Sequence, residues 1–230
     1  MLDFKSFASS SEGNLYTVSD SKTKLMLECG LPWKEIQCRL DFKTSEIAGC
    51  LLSHEHKDHA KAVGNMLRAG IDCYMSQGTA DAIFIGGHRA HIIKPLNQFQ
   101  IDTWRILPFS TIHNVAEPLG FLLASGKEKL LFATDTAYLK FRFKGLTHIM
   151  IECNYSLPLL KANTPSSELR QLVIRNHMSL STLCDFMRAN DLSKVEEIHL
   201  LHLSDTNSDA DSFKKRIQEI TGKPVRIAGV

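Results

Sequence analysis

The chain has 230 residues, of which 43% are hydrophobic and 23% are charged, and both fractions are ordinary for a globular protein. We expect this length to fold as one domain over residues 1–230. The formal net charge of +2 excludes a strong overall positive field as a basis for nucleic-acid binding.

The N-terminus, the apolar runs and the cysteines bear on where the protein is located. The N-terminus has no signal-peptide pattern, and no apolar run approaches the roughly 20 residues that span a bilayer. The six cysteines are dispersed and form no CxxC pair, which favours free thiols in a reducing cytosol. We therefore expect a cytoplasmic protein with no membrane partner.

The first half of the chain mixes strands and helices. Predicted strands share alternating or uninterrupted apolar patterns and cover residues 2–8, 15–18, 24–27 and 47–52. Predicted helices cover residues 32–40, 57–69 and 76–85, with Pro32 in the first turn of one and Gly70 ending another.

The second half repeats this mixture. Predicted strands cover residues 104–109, 119–124, 129–133, 147–152, 198–203 and 225–227. Predicted helices cover residues 179–189, with Ser181 as a candidate N-cap, and 209–220. The pattern is compatible with an α/β (α+β) fold without specifying which one.

Residues 54–59, His-Glu-His-Lys-Asp-His, carry three imidazoles and a carboxylate in the turn between a predicted strand and a predicted helix. These are the ligands that Zn²⁺ and related ions take, and they are poor core residues. His54 and His56 alternate, so on an extended chain they leave one face and can bind one ion. Asp58 and His59 follow the turn and are expected to point elsewhere, which favours a second ion. The alternative is a solvated polar loop.

This HxHxDH motif resembles the signature of the metallo-β-lactamase superfamily, and its partners follow in the order of that family. His113, Asp135 and His202 each follow an apolar, strand-like run. Taken alone, a histidine is more often structural, and an aspartate that closes a strand is often a turn former. His199 lies three residues before His202, so it faces the opposite side of the strand, and we interpret it as structural.

The resemblance implies an αββα sandwich of two similar halves, with metals at one edge between the two sheets. It implies two divalent ions, with Asp135 bridging them, and either Zn²⁺ or Mn²⁺ accepts such ligands. Two ions about 3.5–4 Å apart suit phosphate-ester hydrolysis by a metal-bridging hydroxide. The implied ligands are His54, His56, His113 and Asp135 for the first ion, and Asp58, His59, Asp135 and His202 for the second.

Five further segments resemble the YycJ/WalJ branch of the superfamily, whose members are 5′–3′ DNA exonucleases. They span nearly the whole chain in order and are residues 9–14, 113–121, 151–155, 176–179 and 201–204. Four residues depart from the pattern of that branch: Glu12, Asn114, Tyr155 and Asn176. These positions lie near the implied site, so they bear on substrate preference more than on metal binding.

Two residues are expected to take part directly in catalysis. Asp58 does so as a ligand, and His177 matches a histidine that faces the active site in that branch, where it protonates the leaving oxygen or binds phosphate. Alone, His177 is equally well a cap or a surface residue. Asn154 and Ser179 are candidates for positioning substrate or, equally, turn residues, and Cys153 is interpreted as a small buried hydrophobe.

Basic residues are scattered, with one local pattern. Lys140, Arg142 and Lys144 alternate with Phe141 and Phe143, which suits a groove for a DNA backbone. A solvated edge strand protected by cations explains the alternation nearly as well.

The sequence therefore predicts a dinuclear metal-dependent phosphodiesterase, a 5′–3′ DNA exonuclease acting as a monomer or homodimer. Its partner would be DNA or a nucleotide phosphodiester. The alternatives are a hydrolase of cyclic nucleotides or other small esters, and a non-catalytic metal-binding module, which would lack a ligand that this chain retains.

Overall fold

The computed structural model describes residues 2–229. Its strands form two sheets, of six and seven strands, and helices accompany them, which confirms the predicted mixed α/β class. The chain divides into two compact units. The first unit holds residues 2–110, 115–127 and 229, and the second holds residues 111–114 and 128–228.

The first unit contains the six-stranded sheet, in which strands follow one another in chain order. Its first two pairings are antiparallel and the other three are parallel. The strands are β1 (Asp3–Ser10), β2 (Gly13–Ser19), β3 (Lys24–Leu27), β4 (Ile47–Leu51), β5 (Cys73–Met75) and β6 (Ala90–Ile92). Three antiparallel strands complete this unit: β7 (Phe99–Ile101), β8 (Trp104–Ser110) and β9 (Leu119–Ser125).

Short helices cover the core of the first unit. Buried residues such as Ile36, Met66 and Ala80 pack from the helices against Met26 and Cys50 on the strands. Burying this apolar surface, at roughly 25 cal/mol per Å², is what holds such short elements in place. The helices are α1 (Trp33–Arg39), α2 (Lys57–Ala60), α3 (Val63–Arg68) and α4 (Gln77–Ala82), with a 3₁₀ turn at Thr44–Glu46.

The single helix predicted at residues 57–69 is wrong, because a neighbouring chain segment interrupts it. The Cys29 N–H donates to the His59 carbonyl at 2.7 Å, and the Ala62 N–H donates to the Cys29 carbonyl at 2.9 Å. These bonds replace the bonds of a continuous helix. A Cβ at Gly30 would lie 1.6 Å from the Asp58 carbonyl oxygen, so only glycine permits this approach.

The second unit contains four parallel strands: β10 (Glu128–Ala133), β11 (His148–Glu152), β12 (Glu197–Leu201) and β13 (Val225–Ile227). Every residue of β11 is buried, as expected for a parallel strand covered on both faces. Four helices belong to this unit: α5 (Leu157–Asn163), α6 (Ser167–Asn176), α7 (Leu180–Ala189) and α8 (Ala210–Thr221). The parallel direction brings the carboxyl ends of β10, β11 and β12 to one edge.

Several local predictions need correction. The N-cap of α7 is Ser179, whose hydroxyl accepts from the Thr182 N–H at 3.1 Å, and not Ser181. The sequence patterns did not indicate α5 or α6. The alternating segment 140–144 is not a strand, although its cations are exposed and Phe143 is buried, as the alternation predicts.

Within residues 2–229, none of the helices combines the length and the apolar character that crossing a bilayer requires.

Candidate metal centre

The first unit holds one set of candidate ligands, His54, His56, Asp58 and His59, which we call the motif cluster. His54 is buried, and its Nδ1 lies 2.8 Å from the Ser53 hydroxyl. Such a hydrogen bond helps to hold a metal-binding imidazole in one orientation. The His54 ring centroid lies 4.7 Å from that of His56 and 4.1 Å from that of His59.

This spacing differs from the prediction that His59 points away from His54. His56 is the N-cap of α2, and one helical turn brings His59 back beside His54. Nε2 of His59 lies 3.2 Å from a carboxylate oxygen of Asp58. All four predicted ligands of this unit therefore lie in one compact group.

Three residues outside the predicted ligand set hold the motif cluster in place. The Asn14 side-chain amide lies 3.1 Å from Nε2 of His59 and donates to the Asp58 carbonyl at 3.2 Å. Tyr16 donates to the Asn14 side-chain oxygen at 2.9 Å, which orients that amide. Glu28, fully buried after β3, accepts from the Ser53 N–H and lies 3.5 Å from Nδ1 of His59.

The second unit holds the strand-end cluster, which we define as His113, Asp135, Glu152, His177 and His202. Asp135, Glu152 and His202 lie at or just beyond the carboxyl ends of β10, β11 and β12. One Asp135 oxygen lies 3.2 Å from Nδ1 of His202, and the other lies 3.6 Å from Nε2 of His113. Asp135 therefore faces both histidines that the sequence indicates as ligands in this unit.

The tautomer of His113 follows from its partner. Its Nδ1 lies 3.0 Å from the Asn176 carbonyl oxygen, which can only accept, so Nδ1 carries the hydrogen and Nε2 carries the lone pair. Burial lowers the pKa of His113 in spite of the nearby Asp135 carboxylate. A neutral imidazole with Nε2 towards a carboxylate is the form that binds a metal.

Glu152 is the functional candidate that the sequence patterns did not reveal. It is fully buried, and it accepts from the Thr136 N–H at 2.8 Å and the Met178 N–H at 3.1 Å. Its other oxygen lies 2.6 Å from Nδ1 of His177 and 3.4 Å from Nδ1 of His202. The sequence signals for this role were a glutamate that closes a mostly apolar strand and the resemblance of residues 151–155 to the YycJ/WalJ branch.

The Glu152–His177 pair is electrostatically coupled. Burial would raise the pKa of Glu152, but the charge and hydrogen bond of His177, together with the hydrogen bond of His202, lower the pKa overall. Burial would lower the pKa of His177, but the charge and hydrogen bond of Glu152, together with the charge of Asp135, raise the pKa overall. Ligand atoms of Asp135, Glu152, His177 and His202 all lie within 4.8 Å of one another, so this group is also able to hold a cation.

Backbone strain coincides with these clusters. Glu28, Asp135 and His202 have φ values of 63°, 42° and 51°, in the left-handed region. Non-glycine residues adopt this region rarely, and such residues cluster at functional sites.

Asn154 and Ser179, the candidates for positioning substrate, have structural partners. The Asn154 amide donates to the His202 carbonyl at 2.8 Å, and Ser179 caps α7. Their role towards substrate stays a prediction. Cys153 is fully buried, and burial raises its pKa well above the usual range, so it is a poor nucleophile. His199 pairs with Glu197 at 2.8 Å, in keeping with the structural role predicted for it.

A β-lactamase superfamily domain model matches residues 32–203. The chain belongs to the metallo-β-lactamase superfamily. It is 26% identical to the exodeoxyribonuclease WalJ of Streptococcus pneumoniae serotype 2 (strain D39 / NCTC 7466) over an alignment of 218 positions, gaps included, that covers 87% of this chain and 81% of WalJ. It is 23% identical to the exodeoxyribonuclease YycJ of Bacillus anthracis over an alignment of 239 positions, gaps included, that covers 95% of this chain and 89% of YycJ.

The fold gives the same assignment. The metallo-β-lactamase fold protein YhfI from Bacillus subtilis matches with a TM-score of 0.76 at 15% sequence identity, covering 99% of this chain and 96% of YhfI. The metallo-β-lactamase fold predicted from the HxHxDH motif is therefore confirmed. The family match and the relatives of similar sequence identify the chain as a metal-dependent hydrolase. Its histidine and aspartate clusters fit a divalent metal by the chemistry of their donor atoms.

Proposed function

We propose that this hydrolase is a dinuclear phosphodiesterase, and specifically a 5′–3′ DNA exonuclease. The observation that carries the proposal is the strand-end cluster, in which an aspartate, two histidines and the pair of buried Glu152 with partly buried His177 meet at one edge of a parallel sheet. The exodeoxyribonuclease names of relatives that match most of the chain support DNA as the substrate. Cytoplasmic location and a monomeric or homodimeric state remain predictions.

The proposed ligands follow the family pattern. His54, His56, His113 and Asp135 would hold one ion, and Asp58, His59, Asp135 and His202 would hold the other. The buried, hydrogen-bonded imidazoles of His54 and His113 and the paired carboxylate of Asp135 support this assignment. When bound, two such ions, Zn²⁺ or Mn²⁺, activate water and neutralise charge on phosphoryl oxygens.

His177 is the proton donor in this proposal. Its Nδ1 is bonded to Glu152, so Nε2 is the atom assigned to the substrate. The raised pKa of His177 keeps more of the imidazole protonated near neutral pH than in an ordinary histidine. A carboxylate that orients an imidazole and stabilises its charged form is an established catalytic arrangement. His177 would then protonate the leaving oxygen of the cleaved phosphodiester or bind its phosphate.

A small phosphodiester is the second candidate substrate, favoured by the near-neutral charge of the chain. The two candidates differ in what they require. A DNA strand needs a cationic path leading away from the metals, whereas a cyclic nucleotide needs a closed pocket.

The test is an assay of metal-supplemented protein on linear DNA labelled at either the 5′ or the 3′ end, beside a panel of cyclic nucleotides. We expect 5′-labelled DNA to release its label first, and elemental analysis to give about two divalent ions per chain. Rapid cleavage of a cyclic nucleotide with inert DNA would transfer the proposal to the second candidate. A saturated metal content of one ion or fewer would rule out the dinuclear centre.

A further inference from the structure

A groove in the second unit lies beside the strand-end cluster without being part of it. Its volume is about 410 Å³, and its walls come from the first turn of α5, one face of α7 and Arg216 of α8. We propose that this groove binds one single-stranded segment of the DNA substrate next to the cleaved bond. The inference rests on the proposed function, because it specifies how that substrate is held.

The groove is continuous with the catalytic segments. Glu152 is followed by Ser156 and Leu157 in one wall, and His177 is followed by Leu180 and Ser181 in the other. These two segments run side by side, since Tyr155 and Ser179 form a parallel bridge and the Leu180 N–H donates to the Tyr155 carbonyl at 2.8 Å. Four residues span at most ~14 Å, so the groove begins within a few nucleotides of His177.

The floor of the groove is apolar. Leu157, Pro158, Leu180 and Cys184 line it, and Leu157 is 42% exposed. A cavity of this volume is in the ordinary range for a small ligand, roughly 300–1,000 Å³, and such sites combine apolar walls with a few polar groups. A nucleobase offers a flat, largely apolar face for such a floor.

The charged groups of the groove complement a phosphate. Arg188 and Arg216 line it, and both guanidinium groups approach the Cys184 thiol closely enough to oppose the increase in its pKa that burial causes. Both arginines line the groove while about half of each side chain stays exposed. Asp185 is the one acidic lining residue, and it pairs with Arg188 at 3.0 Å.

These arginines remain available to a ligand. Arg216 forms a surface ion pair with Glu219 at 3.6 Å. In this pair and in the pair of Arg188 with Asp185, both side chains are at least half exposed. Exposed pairs of this kind contribute about 0–1 kcal/mol, so a phosphate with bidentate guanidinium geometry displaces them readily. An apolar floor lined by two guanidinium groups fits a nucleotide, with the base on the floor and the phosphate on the arginines.

The experiment measures fluorescence anisotropy of a labelled single-stranded oligonucleotide with nuclease-resistant phosphorothioate linkages, titrated with the metal-loaded protein at several salt concentrations. The test variant is Arg188→Ala/Arg216→Ala, and the matched control is Lys214→Ala/Lys215→Ala, which removes the same charge from α8 outside the groove. Turnover of a small chromogenic phosphodiester is measured in parallel for each protein.

We expect the arginine variant to bind the oligonucleotide about tenfold or more weakly. Its salt slope should be lower by about 1.4, because each phosphate of a single strand that a cation neutralises adds about 0.7 to the slope. The lysine control should bind within about twofold of the parent, and chromogenic turnover should be unchanged in both. Equal binding by parent and arginine variant would overturn the proposal. A parent dimer that the arginine variant dissociates would also overturn it, because the groove would then be an interface between two copies of this chain.

The two failures are distinguishable. If the parent protein binds the oligonucleotide through the arginines but degrades no DNA, the exonuclease proposal fails and the groove proposal stands. If the parent protein degrades DNA and the arginine variant binds and cleaves it equally well, the groove proposal fails and the exonuclease proposal stands.

Discussion

The motif cluster and the strand-end cluster solve the same chemical problem in different ways. The four ligands of the motif cluster come from six consecutive residues in one turn, whereas the strand-end cluster collects residues 113, 135, 152, 177 and 202. Both rely on a fully buried glutamate, Glu28 beside His59 and Glu152 beside His177. The difference teaches that a local motif specifies ligands by itself, while the second cluster depends on the order of parallel strands.

The largest expected effect separates ligand chemistry from packing. Asp135→Ala should abolish hydrolysis, with a loss beyond the ~10³-fold seen when one stabilising donor is removed, because Asp135 is proposed to serve both ions. Its fold, checked by circular dichroism, should persist. Activity and bound metal are the measurements. Wild-type turnover with a normal metal content would show that Asp135 is not a ligand.

His199→Ala is the matched control for this change. It removes an imidazole three residues from His202 that pairs with Glu197. This variant should keep metal and activity while losing some thermal stability.

The second effect tests what the strand-end cluster has and the motif cluster lacks, a histidine outside the proposed ligand set. His177→Ala should slow both DNA and a small chromogenic phosphodiester by about 10²–10⁴-fold, the usual contribution of a general acid. The loss should fall on kcat, and the metal content should stay that of the parent. A variant that instead loses one ion per chain would make His177 a ligand, as the spacing of the four-residue group also permits.

A smaller effect concerns the exposed cations of the segment 140–144. If Lys140, Arg142 and Lys144 bind a DNA backbone, changing all three to alanine should raise KM for long DNA several-fold. The salt dependence should flatten by about 0.7 for each phosphate that is no longer neutralised. Turnover of the chromogenic substrate should barely change. Unaltered DNA kinetics would leave these residues as a solvated loop surface.

The smallest effect is on stability. Burial lowers the pKa of His199, against the opposing Glu197, with Arg226 and His148 also nearby. The folded protein therefore resists protonation of His199, and the stability gained is complete above about pH 6.5 and lost as the pH falls below it. His199→Gln should remove this dependence, by up to about 1.4 kcal/mol per pH unit. Chemical denaturation at pH 7.5 and 5.5 gives the free energy of unfolding of the parent and of His199→Gln. If this free energy changes equally with pH in both proteins, His199 is not the group responsible.

Much of the fold followed from local patterns. The predicted strand 24–27 and the final strand 225–227 agree with the structure, and nearly all other predicted strands are displaced by only one or two residues. The prediction of one continuous helix over residues 57–69 was wrong because Cys29 and Gly30, about 30 residues earlier in the chain, interrupt it. No local pattern contains that information, since tertiary hydrogen bonds override helix propensity.

The candidate site likewise contains residues that local sequence patterns predicted and residues that only the fold reveals. The motif cluster was predictable because its ligands share one turn and one spacing. Glu152 and Glu28 were not, because each is a single acidic residue ending an apolar strand, and only the fold shows that it is buried against a histidine. The segment 140–144 misled because alternation is typical of a strand, yet an irregular loop also alternates buried and exposed side chains.

The left-handed backbone at Glu28, Asp135 and His202 has a consequence for protein engineering. Each such conformation costs about 1–3 kcal/mol in a non-glycine residue. Replacement by glycine relieves that cost and removes the carboxylate or imidazole in the same step. A mutant library screened only for heat resistance is therefore expected to accumulate glycine at these three positions. The selected variants would lack hydrolytic activity, so a useful screen selects for turnover as well.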